Sequence, residues 1–95
     1  MEDYKLIDNK EDHCYEFRIE EYRPLIDYMK PDENEIYLTH TEVPEPIQGR
    51  GIGSQLVEKT LEDIERQNLK LIPLCAFVIG YIRKNPQWNK LVQKY

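Results

Sequence analysis

The chain has 95 residues, with 13 Lys+Arg against 18 Asp+Glu for a formal net charge of −5 at pH 7. That size and balance read as one small acidic domain, residues 1–95, and exclude the basic surfaces that hold nucleic acid or an anionic membrane through counterion release. Leu, Ile, Val and Phe make up 25 of the 95 residues, above the roughly one-fifth below which charged chains stay disordered, so a packed core is expected.

A domain this short has little room for a deep private cavity, which places any ligand in a surface groove. Cys14 and Cys75 stand far apart, too few for a disulfide framework, and read as free thiols. With only His13 and His40 and no Cys-x-x-Cys, a metal centre has almost no ligands and none is expected. No stretch approaches the roughly 20 apolar residues of a membrane span. The opening Met1-Glu2-Asp3-Tyr4-Lys5 has neither the basic nor the apolar part of a leader, so a cytoplasmic protein without a membrane partner is expected.

Along the chain, Tyr15, Phe17 and Ile19 alternate with Glu16, Arg18 and Glu20, the period of two that predicts a half-buried strand. Tyr22 to Met29 reads as a second strand beginning near Pro24, and Pro31-Asp32-Glu33-Asn34 supplies a turn before a third strand from Glu35 to Val43. In that third strand regular alternation puts Ile36, Leu38, His40 and Glu42 on one face and Tyr37, Thr39, Thr41 and Val43 on the other; a bulge would exchange the faces.

From Ile52 the apolar positions Leu56, Val57, Leu61 and Ile64 follow helical spacing, with Asn68 able to supply a left-handed end, for a helix of about four turns. Leu69 to Cys75 is short and apolar and reads as a buried strand despite Pro73. A helix from Phe77 to Lys84 follows, and Asn85-Pro86 reads as the N-cap and first residue of a last helix through Trp88, Leu91 and Val92. The order is β-β-β-α-β-α-α: an antiparallel three-strand meander plus a parallel fourth strand reached by one crossover.

Between the third strand and the helix lie three of the chain's four glycines, Gly49, Gly51 and Gly53. Glycines that open directly into a helix create an anion site, because the first helical N–H groups have no partner and sit at the positive end of the dipole. The spacing is neither a Walker loop nor a Gly-x-Gly-x-x-Gly fingerprint, since Leu56 stands three residues after Gly53. A glycine-rich turn that only packs helix on sheet is the competing reading.

Gln48-Gly49-Arg50-Gly51-Ile52-Gly53 resembles the Gln/Arg-x-x-Gly-x-Gly/Ala pyrophosphate loop of the GNAT superfamily of N-acetyltransferases. His40-Thr41-Glu42-Val43-Pro44, Pro73-Leu74-Cys75, Tyr81-Ile82-Arg83 and Asn85-Pro86 extend the resemblance, to small single-domain members, over about residues 14 to 90. It implies a minimal GNAT fold, an α+β architecture with a mixed sheet. It also implies acetyl-CoA or coenzyme A on the amides of Gln48, Gly49, Arg50, Gly51, Ile52, Gly53 and Ser54, with the pantetheine arm pairing near Val43. Departures are Ala76 and Asn85, where Pro and His are common in the subfamily, and the lack of room for the two helices that shape the acceptor site in full-size enzymes.

Acetyl transfer to an amine needs a base, oxyanion donors and an acid for the leaving thiolate. Glu42 and His40 are the candidate bases, and read equally as a solvated carboxylate and a structural histidine. The resemblance makes Tyr81 the candidate acid, against a core tyrosine. Cys75, at the end of the fourth strand, is a candidate acetyl carrier, against a small buried hydrophobe. Trp88 and the remaining tyrosines, Tyr95 included, read as packing. The expected function is acetyl transfer from acetyl-CoA to a primary amine of a small molecule or peptide by a monomer or weak homodimer; a noncatalytic module that binds coenzyme A or another protein is the alternative.

Overall fold

The computed structural model describes residues 2–93; Met1 and Tyr95, which entered the leader and packing readings, lie outside them. Five strands form one sheet in the order β1 (Ile7–Asn9), β2 (Cys14–Glu16), β3 (Leu25–Met29), β4 (Glu35–Glu42), β5 (Lys70–Pro73). β1 to β4 pair antiparallel and β5 lies parallel to β4, so the meander and the crossover stand. The additional edge strand β1 has three half-buried residues, too few to carry a period. Helices α1 (Ile52–Arg66) and α2 (Ala76–Lys84) bury Leu56, Val57, Leu61, Ile64, Val78 and Ile82 in one core with Tyr15, Ile26, Ile36, Leu38 and Leu71 of the sheet.

The first two predicted strands are shorter than their pattern. Tyr15, Phe17 and Ile19 are all buried, and their hairpin stays in register past the strands, Phe17 N donating to the Pro24 carbonyl at 3.1 Å and Ile19 and Tyr22 exchanging bonds across the Glu20 turn. Pro24 has no N–H to complete the ladder, which ends regular pairing there. α1 closes as predicted on Asn68 in the left-handed conformation, φ 60°. The last helix is instead a 3-10 segment, Pro86–Leu91, that Asn85 does not cap; Asn85 Nδ2 donates back to the Tyr81 carbonyl at 2.9 Å. Val92 leaves that segment to bridge Leu71.

Glu16 faces away from the helices, yet its side chain is 0% exposed. It accepts from Arg18 Nε at 2.9 Å, Asn9 Nδ2 at 3.1 Å and the Cys14 thiol at 3.4 Å, with Arg23 Nε at 3.2 Å. Burial pushes its pKa upward, but these donors outweigh burial and hold it below the ordinary glutamate value. A group depressed in the folded state stabilises above its unfolded pKa and loses that contribution as pH falls through the folded one. Thermal midpoints should therefore drop on acidification, and Glu16→Gln should cost about 2 kcal/mol at neutral pH and flatten the acid limb; equal pH profiles in calorimetry would contradict this.

The pairing of β3 with β4 contains the register shift that matters for the site. Asp27 pairs His40 but Tyr28 pairs Leu38, leaving Thr39 as an extra residue, a β-bulge. Beyond it the faces exchange. Thr41, opposite buried Ile26, turns to the helix side with Val43, whereas His40 and Glu42 are exposed on the outer face. The single-face grouping of Ile36, Leu38, His40 and Glu42 is thus corrected: unbroken alternation would bury two ionisable groups against the core, which is costly without partners. β5 pairs only Glu35 to Leu38 and ends at Pro73, so the distal half of β4 has no partner on that side.

Candidate functional site

After β4, Pro44 starts a short 3-10 turn, Glu45–Ile47, whose Ile47 is fully buried and anchors the loop. Gln48 Nε2 donates to the Val43 carbonyl at 2.9 Å and clamps the loop's base. Gly49 and Gly51 have φ of 84° and 72°, left-handed values that only glycine adopts without strain. Gly51 is the N-cap of α1 with no side-chain capping bond, and the first helical bond runs from Gln55 N to the Gly51 carbonyl at 3.1 Å. The amides of Ile52, Gly53 and Ser54 thus precede the helical ladder at the positive end of the dipole.

These amides border a groove of about 420 Å³, within the range of small-molecule sites. Seven of the eight nominated binding residues line it, Val43, Gln48, Gly49, Gly51, Ile52, Gly53 and Ser54. Arg50 does not line it; its guanidinium lies 3.8 Å from Glu20. Thr41, Ile47 and Phe77 also line the groove and were missed. Phe77 is 46% exposed and its ring rests on Gly53: a Cβ at residue 53 would stand 2.7 Å from Phe77 Cζ and 3.5 Å from Val43 Cγ2. The signal for Phe77 was available, since it lies off the Val78 and Ile82 stripe of α2. For Thr41 the signal was the cost of burying His40 and Glu42.

Cys75 is half-buried at the N-cap of α2, and its Sγ lies 3.2 Å from Thr41 Oγ1. Burial alone raises its pKa, but the Thr41 hydroxyl and the Val78 and Phe77 amides outweigh it and hold the thiol below its ordinary value. The sulfur closes no side-chain capping hydrogen bond at the start of α2. Cys14, by contrast, is pushed up to about 11 by burial and by Glu16.

Of the four nominated catalytic side chains, Cys75 makes a polar contact with a residue lining this groove, Thr41. His40 and Glu42 stand on the opposite face of the sheet, with Asp27 beside His40. Tyr81 lines a neighbouring cavity of about 250 Å³, and Phe77 is a wall common to both. Burial first, then the Glu58 and Glu62 carboxylates, push the Tyr81 phenol above its ordinary value, so it stays protonated. Among the described residues, no group of three or more His, Cys, Asp and Glu is placed to hold a metal, and no helix is long and apolar enough to cross a membrane.

A mixed five-stranded sheet with a glycine loop opening a helix beside the last antiparallel strand defines a GNAT-like fold. Residues 14–91 match the family model described as GCN5-related N-acetyl-transferase, and the chain belongs to that family. Protein NATD1 of Xenopus tropicalis is 30% identical over 64 residues, 67% of this chain and 59% of that protein. Human Protein NATD1 is 31% identical over 64 residues, 67% of this chain and 57% of that protein. The matches thus span less than two thirds of those relatives' length. The solution structure of a GCN5-like protein from Staphylococcus aureus superposes with a TM-score of 0.72 at 24% identity, covering 100% of this chain and 93% of that one; it supports the fold alone.

Proposed function

We propose that the chain binds acetyl-CoA on the glycine loop and transfers its acetyl group to a primary amine. The observation that carries this reading is the set of unpartnered amides at Ile52, Gly53 and Ser54, opened by left-handed Gly49 and Gly51 onto a groove that reaches Thr41. Left-handed glycines and a free helix N-terminus suit a pyrophosphate better than they suit packing, because a packed helix start is normally capped. When bound, acetyl-CoA supplies an activated thioester carbonyl. The loop amides hold the anionic end, the Val43 backbone offers pairing to the arm, and Phe77 covers the groove and excludes water.

The acidic chain draws cationic amines by long-range attraction, and His40 and Glu42 on the outer face are positioned to take a proton from an amine arriving there. Calorimetric titration with coenzyme A and acetyl-CoA, followed by an amine screen read by intact mass of the products, tests the reading. Micromolar binding with turnover is expected. Binding without turnover for any amine would favour a noncatalytic coenzyme A module, and no binding would return the loop to a packing role.

A second reading has its own observation, the Thr41 hydroxyl against Cys75. The Cys75 thiolate attacks the thioester carbonyl, the bond to the coenzyme A sulfur breaks, that thiolate leaves and takes a proton, and the amine then displaces the acetyl group from Cys75. A stable acetyl on Cys75 by intact mass, absent in Cys75→Ala, is the expected sign. Because Thr41 helps hold the thiol low, Thr41→Val should move the midpoint of Cys75 alkylation by iodoacetamide to higher pH; an unmoved midpoint would remove Thr41 from the site.

A further inference from the structure

At the end of the sheet remote from the glycine loop, three basic side chains stand in a row. β1 and β3 run the same way with β2 antiparallel between them, so Lys10, His13 and Lys30 each lie one residue beyond the same end of three neighbouring strands. Strands sit about 4.7–4.9 Å apart, which makes the row about 10 Å long. These residues line a hollow of about 280 Å³ together with Asp8 and Tyr28, just below the range of drug-sized sites that begins at about 300 Å³, so it suits a small ligand. Thr41, which meets the glycine groove, pairs with Ile26. Lys30 stands four residues further along, about 13 Å away in the strand direction.

The row carries no counter-charge. Among the described residues no carboxylate lies within ion-pair distance of Lys10, His13 or Lys30, although six other Lys and Arg side chains of this acidic chain each have one. Asp8 lines the hollow, but its Oδ1 accepts the Tyr28 hydroxyl at 2.7 Å. Asp12 of the same turn is taken up by Asn9 and Arg23, and Glu11 is exposed and does not line the hollow. Asp63 of α1 accepts from Tyr15 and pairs with Arg66. His13 is held in place from two sides: its carbonyl accepts from Tyr28 N at 2.9 Å and its ring centroid lies 6.2 Å from that of Tyr28. It keeps φ at 54°, a left-handed conformation that is unfavourable for a residue with a side chain.

We propose that this hollow binds a small phosphate monoester, with Lys10 and Lys30 as cationic contacts from the two outer strand ends, the His13 imidazole N–H between them and buried Tyr28 as the floor. Donors arriving from three strand ends suit a tetrahedral dianion better than a planar carboxylate, and lysine meets phosphate as a point charge that needs no fixed fork. The Asp8 carboxylate beside Tyr28 repels negative charge at the floor, so the phosphate is held at the lysine rim and the uncharged part of the ligand lies inward. The site is separate from the glycine groove and stands or falls independently of the coenzyme A reading.

The test is titration of the isotope-labelled chain with phenyl phosphate, and in parallel with benzenesulfonate, at constant ionic strength and about pH 7.5, where the phosphate monoester is mostly a dianion. Amide chemical shifts read the result residue by residue, which separates this hollow from the glycine loop and its own free amides. Wild type should show saturable shifts at Lys10, His13 and Lys30 with a Kd on the order of 1 mM for phenyl phosphate, at least about fivefold tighter than for the sulfonate monoanion. The double variant Lys10→Gln with Lys30→Gln should bind about tenfold more weakly or worse. Lys70→Gln with Lys84→Gln removes the same charge from exposed positions elsewhere and should stay within about twofold of wild type, because exposed charges at a distance are screened. All four lysines are exposed, so both double variants should keep the wild-type thermal midpoint, which checks the fold. Shifts confined to Gly51–Ser54, no saturable shifts at all, equal binding of the two anions, or equal loss in the two double variants would each overturn the assignment.

Discussion

A Gly51→Val variant is expected to lose coenzyme A binding by at least about 100-fold, the equivalent of somewhat under 3 kcal/mol. Two effects act together. Residue 51 sits at φ 72° at the N-cap of α1, where a β-branched side chain strains the backbone by roughly 1–3 kcal/mol, and the loop must relax away from the conformation that aims its amides into the groove. The side chain also occupies space where an anion approaches the backbone. A strain of that size is a fraction of a stability of about 5–15 kcal/mol, so the variant should fold, with a circular dichroism spectrum like wild type and a lower thermal midpoint. A folded variant with wild-type affinity would remove the glycine loop from ligand binding.

The largest effect on stability is expected from Phe17→Ala, which should cost about 3–5 kcal/mol, the range for emptying a buried aromatic site. Phe17 is 0% exposed, its ring centroid lies 5.4 Å from that of Tyr4, and the Lys59 ammonium stands 5.6 Å from its centroid. It therefore ties the N-terminal segment and α1 to the irregular end of the β2–β3 hairpin. For a domain of this size each kcal/mol moves the midpoint by about 4–8 °C, so a drop of about 15 °C or more is expected on thermal scanning, with Phe17→Leu recovering most of it. A midpoint within a few degrees of wild type would mean that the hairpin end adds little to the core.

Much of the fold was legible because its signals are local. The alternation of Tyr15, Phe17 and Ile19, the helical spacing from Leu56 to Ile64, and Asn68 as a left-handed terminus each act within one or two turns of chain, and each is present in the structure. The glycine loop was legible for the same reason: φ above zero is a property of single residues, and Gly49 and Gly51 adopt it. The capping reading of Asn85 failed because the 3-10 turn after Pro86 leaves its side chain nearer the Tyr81 carbonyl.

What the chain by itself determined is therefore the order of elements from β2 to α2, the inward faces of β2 and α1 and a loop built to present backbone amides. Tertiary structure alone decided which side of β4 meets the groove. The extra residue at Thr39 depends on the register against β3, and that one-residue shift sends Thr41 to Cys75 and turns His40 and Glu42 to the outer face. Contacts between residues distant in sequence, Gly53 under Phe77 and Glu16 under Arg18 and Arg23, were likewise set by packing. The physical reason is range: dihedral preference and hydrophobic period are written residue by residue, whereas register and burial exist only once strands and helices meet.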